Sequence, residues 1–215
     1  EFHREQFQHT PIGANLTDHI SSNPMKIKLK KLSLMRFSSF FYKGIIRKGH
    51  IYKDPKAGLN HIIYLRPAMN LSLGSHTQAL KRLLIGFWAT PNKIQSLLEL
   101  ASSVDMLLEI IANKLPIPLL TRYLSVSIVS EQESKNSNFV SCDGKKKNIV
   151  WSFSDTERKS VISACHWFIS NSGLSIDSVS IADPQEIEFT GCCHHSGTAS
   201  FGDDRSCNVV DKNLK

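Results

Sequence analysis

What this 215-residue chain lacks narrows what it can be. No strand-then-helix stretch carries Gly-x-Gly-x-x-Gly, so it holds no dinucleotide-binding fingerprint of its own. No apolar run approaches the roughly 20 residues that cross a bilayer, which excludes a transmembrane helix. Its five cysteines are an odd number without repeated Cys-x-x-Cys spacing. That excludes a disulfide framework and a structural zinc site, and it makes a reducing compartment, cytoplasmic by default, the expectation. There is no internal repeat, and no low-complexity stretch beyond short lysine runs. Glu1-Phe2-His3-Arg4 has neither an initiator Met nor a signal-peptide pattern, so the sequence reads as cut at both ends.

The composition is that of a soluble globular protein able to bury a core, with 41% hydrophobic and 21% charged residues. The net charge of +7 and a pI near 9.2 raise the question of a polyanionic partner. Much of the excess sits in Lys26 to Lys31 and Lys145-Lys146-Lys147, runs without aromatics interleaved on the same face. They read as solvated strand edges and turns, so no nucleic-acid partner is expected. A non-enzymatic basic binding module for a polyanion is the second reading of the chain, and it predicts affinity that falls steeply with salt.

Periodicity divides the chain. Residues 1–24 are polar and turn-rich, with Pro11, Gly13 and Pro24, and read as an irregular connecting segment. Met25, Ile27 and Leu29 alternate with Lys26, Lys28 and Lys30, which predicts a half-buried strand with its lysine face in water. Such a strand suits an antiparallel sheet. Residues 33–50 mix aromatic, aliphatic and basic side chains without a resolvable period. Strand patterns recur over 60–69 and at Leu124, Val126 and Ile128.

Between those strands Leu80, Leu83, Leu84, Phe87 and Trp88 form a helix stripe. Thr90-Pro91 opens a second helix that stops before Pro116. Asp143-Gly144 predicts a hairpin joining 138–141 to 147–153. Ser154-Asp155-Thr156-Glu157 is a capping box for a helix with Val161, Ile162, Cys165, Phe168 and Ile169 on its buried side, and Gly173 is its C-terminal cap. Together these predict an α+β fold, in which the two apolar-faced helices of 75–115 would pack on one side of a sheet. His61, His76 and His166 read as surface or core residues, and Trp88, Trp151 and Trp167 as packing.

Two strings carry chemistry. Cys192-Cys193-His194-His195-Ser196-Gly197-Thr198-Ala199-Ser200-Phe201-Gly202 is followed by Asn208-Val209-Val210-Asp211. His194 is an imidazole that titrates near neutrality, and Gly197 and Gly202 allow close backbone approach to a flat ligand. Contiguous Cys192 to His195 diverge, which argues against a zinc cluster there. The second string is Gly13-Ala14-Asn15-Leu16-Thr17-Asp18-His19. Its bland reading is a turn in which Asn and Asp bond their own backbone.

These strings resemble two signatures of the glucose-methanol-choline family of flavin-dependent oxidoreductases: Gly-x-Asn-Leu-x-Asp-His, and a histidine three residues before Gly-Thr with a later Val-Val-Asp. They occur in the family's order, about a substrate domain apart. After Gly-Thr many relatives carry Arg or Lys and then Met, whereas this chain has Ser200 and Phe201. The resemblance implies a connecting segment over 1–24 leaving an FAD-binding half outside the sequence, a substrate-binding domain over 25–190 that is mainly antiparallel sheet with helices packed on one side, and a return to the flavin site over 191–215. It implies FAD as cofactor, an alcohol or sugar as substrate, and His194 as catalytic base. Asn15, His195, Gly197, Thr198, Val210 and Asp211 fall on the flavin side, and a second catalytic His or Asn lies beyond Lys215.

Overall fold

The computed structural model describes residues 14–36, 49–71, 73, 118–135, 137–143, 146–192 and 196. Its centre is β1 (Ile20–Arg36), which pairs on one side with β4 (Pro118–Ser130). On its other side it pairs with β7 (Ile176–Ile181) and β8 (Thr190–Gly191). Beyond β4 come β3 (Asn60–Ala68) and then β2 (His50–Lys53) at the edge. Every pairing in this six-stranded sheet is antiparallel. A separate hairpin joins β5 (Phe139–Asp143) to β6 (Lys146–Val150), with Asp143 opposite Lys146, as the Asp-Gly signal predicts.

The alternating residues make the core. Met25, Ile27, Ile63, Leu124, Val126 and Ile128 are fully buried on one sheet face. Helix α1 (Asp155–Asn171) lays Val161, Ala164, Cys165 and Phe168 against them. Both halves of its capping box form, as expected from Ser154 and Glu157. The Glu157 carboxylate also accepts from the Glu133 amide at 3.1 Å and the Lys135 ammonium at 3.0 Å. Gly173 follows the helix at φ +66°, a left-handed cap position that a Cβ would strain.

Two expectations are corrected. The first strand starts at Ile20 rather than Met25. Pro24 disguised it, but the ladder is irregular between Ser22 and Met25, where a missing amide hydrogen costs no pairing. Its carbonyl is used instead, accepting from Ala182 N at 2.8 Å. The lysine face is in water only in part: Lys30 is exposed as expected, but Lys26 and Lys28 are half-buried, and Lys28 Nζ meets Asp177 at 2.7 Å. That contact, ahead of the fields of Arg122 and Lys30, holds the Asp177 carboxyl below its usual range. The helices expected over 75–115 lie outside the described residues.

Candidate functional site

The two strings meet edge to edge. β8 pairs Gly191 with Ile20 and Thr190 with Ser21. The ladder continues outward, with Cys192 N donating to His19 O at 2.9 Å. Thr17 and Ser196 then exchange both backbone bonds at 3.0 and 2.9 Å, and their hydroxyls lie 2.8 Å apart. Asn15, just before the pairing, is half-buried and stands at φ +57°, a left-handed conformation that Asn tolerates better than most residues. Among the described residues, Asn15 to His19 therefore lies beside Cys192 and Ser196.

Beneath this pairing is a buried polar hub. Gln132 Oε1 accepts from Trp151 Nε1 at 2.7 Å and from Asp18 N at 3.3 Å. Its Nε2 donates to Ser152 O at 2.9 Å. The fully buried Asn138 accepts from Ser152 N and Oγ, both at 2.9 Å. Asn138 O in turn accepts from Leu16 N at 2.9 Å. The far end of the Trp151 ring presses on β8: a Cβ on Gly191 would lie 3.1 Å from Trp151 Cη2 and 2.6 Å from Asp18 Oδ2. Only glycine fits there without a shift. Trp151 also packs edge-on against Phe153, which meets Phe189 just before β8.

A second titratable cluster lies under α1. His61 has no exposed surface. Its ring nitrogens reach Ser130 Oγ and Ser160 Oγ, each at 2.7 Å. Asp54, also buried, accepts a hydrogen bond from the Ser160 hydroxyl. The Ser160 oxygen is then the acceptor for His61 Nε2–H, which leaves Nδ1 to accept from Ser130. Burial pushes His61 down to about 4, against the fields of Asp54 and Glu131. For Asp54, burial acts upward, but hydrogen bonds from Ser160 and the Lys56 and Ala57 amides, with the field of His61, carry the shift downward. Tyr52, which stacks on His61, is raised by burial and then by Asp54. With both nitrogens engaged and no open face, His61 ties β3 and β4 to α1; of the two roles read from the sequence, surface or core, it takes the core one.

Of the candidate site residues named from the sequence, Asn15 is described and stands two residues before the Thr17–Ser196 pairing. His194, His195, Gly197, Thr198, Val210 and Asp211 lie outside the described residues. Gln132, Asn138 and Trp151 escaped sequence reading as site residues, since a Gln after a strand and a Trp after a hairpin carry no spacing signal. No group of three metal-ligating side chains occurs among the described residues, and no described helix is long and apolar enough to cross a membrane. Compared with protein-family models and with curated proteins, the chain matches none.

Proposed function

We propose that the chain is the substrate-domain part of an FAD-dependent oxidoreductase of the glucose-methanol-choline type, acting on the CH–OH group of an alcohol, sugar or polyol. The observation that carries this reading is the pairing of Thr17 with Ser196 and of His19 with Cys192. It brings together, across nearly the whole sequence, the two strings that carry the resemblance.

FAD, held mostly by the other half of the protein, would supply the hydride acceptor at flavin N5. This chain's part is proton management and positioning. His194 takes the hydroxyl proton of the substrate, and the bonds of Cys192 to His19 and of Ser196 to Thr17 anchor the residues on either side of it in sequence. Asn15, His195, Gly197, Thr198, Val210 and Asp211 are the residues that would line the flavin side.

The test is to express the complete reading frame encoding this chain, record the flavin spectrum retained by the protein, and follow its anaerobic bleaching by alcohols, sugars and polyols. His194→Ala is expected to slow bleaching about 10²- to 10⁴-fold with the spectrum kept. A protein without flavin, or a variant that bleaches at the parent rate, overturns the reading. The 215-residue chain alone is expected to retain little or no FAD.

A further inference from the structure

We infer that Gln132 is a positioning residue for β8 and the rungs at Cys192 and Ser196 that follow it, acting through Trp151 and Asp18. The inference rests on the functional reading above for its catalytic consequence, but its physical content concerns the described residues alone. Gln132 sits just past the end of β4, so it is anchored to the central sheet, and it is nine-tenths buried. A carboxamide both donates and accepts, and here both ends are used. The oxygen holds the Trp151 indole N–H and the Asp18 amide, and the nitrogen holds Ser152 O.

Trp151 transmits this to β8. Its indole is fixed at one end by Gln132, and at the other it lies against Gly191, where no Cβ fits. The next residue, Cys192, makes the bond to His19. Without the Gln132 oxygen, the indole N–H and the Asp18 amide would be left in a buried place with unmet hydrogen bonds. Trp151 would then turn toward another acceptor. The space against Gly191 would open, and with it the ladder that leads through Cys192 to Ser196. Catalytic placement is sensitive on this scale, since a shift of about 1 Å at a reacting group costs about a hundredfold in rate.

The first measurement needs no flavin: amide hydrogen exchange on the 215-residue chain with Gln132→Met, a side chain of similar length without polar atoms. Exchange at Cys192 and Ser196 is expected to rise about tenfold or more, with α1 and β3 unchanged. If Gln132→Met does not fold, Trp151→Phe, which keeps an aromatic ring and deletes the indole N–H, carries the same expectation. Unchanged exchange at Cys192 and Ser196, an equal rise along α1 and β3, or failure of both variants to fold overturns the proposal.

The second measurement uses the flavin-bearing full-length protein. There Gln132→Met is expected to lower kcat about ten- to a hundredfold while KM stays within about twofold and the flavin spectrum is unchanged. A parent kcat in that variant, where His194→Ala slows the reaction as expected above, overturns this inference and leaves the functional reading standing. A full-length protein without flavin removes that reading, while the exchange result still decides the role of Gln132.

Discussion

His61 shows what one buried imidazole does in this fold. Both nitrogens are bonded to serine hydroxyls, and burial holds the ring neutral with its pKa down to about 4. The unfolded chain takes up that proton near 6.5. The neutral ring's contribution is therefore fully present above about pH 6.5, is lost as pH falls through that window toward 4, and changes little below it. A depression of this size corresponds to about 3 kcal/mol. Urea unfolding at pH 7, 5.5 and 4 is expected to show stability falling with acidity. In His61→Gln, which bonds but does not titrate here, stability should start lower at pH 7 and change less across the window. Parallel pH curves for the two proteins would mean that His61 is not the group that couples protons to folding.

At the scale of elements, β8 is short and its hold on β1 depends on close approach. Gly191→Ala places a methyl 2.6 Å from a carboxylate oxygen of the buried Asp18 and 3.1 Å from the Trp151 ring. Crowding of this kind costs about 1–3 kcal/mol. The loss should appear as a lower urea midpoint with faster amide exchange centred on Thr190 to Cys192. An unchanged midpoint and unchanged exchange would show that Asp18 and Trp151 give way freely and clamp nothing. Local elements of this fold were legible wherever their signal is local. The capping box at Ser154, the stripe on α1, the hairpin at Asp143 and the alternation of β3 and β4 all follow from neighbours a few residues apart. The first five residues of β1 were not legible, because Ser21-Ser22-Asn23-Pro24 carries turn chemistry that pairing with β4 and β8 overrides. The hub at Gln132 was hidden for the same reason: its partners stand 19, 20 and 114 residues away. The two site strings could be read one by one, but nothing local in either says that they touch.

The whole molecule depends on β1, and among the described residues every strand that pairs with β1 comes late in the chain. β4 begins at residue 118, β7 at 176 and β8 at 190. Closing such loops precedes any gain from the contacts, which slows folding of sheets dominated by non-local pairing to milliseconds or longer. Helix α1 cannot form far ahead of this step. At 17 residues it is close to the marginal length for a helix in water, and among the described residues its apolar side is covered by the sheet, with Phe168 edge-on to His50 of β2, and by Ile187 and Phe189. Refolding from urea followed by pulsed hydrogen exchange is therefore expected to protect α1 amides and β1–β4 amides in one common phase, slower than about a millisecond. Protection of α1 well before the β1–β4 ladder would show that the helix stands without the sheet. In that case β1 would no longer be the element on which the rest is assembled, and the pairing of Thr17 with Ser196 would have to be explained as a late docking of two independent ends.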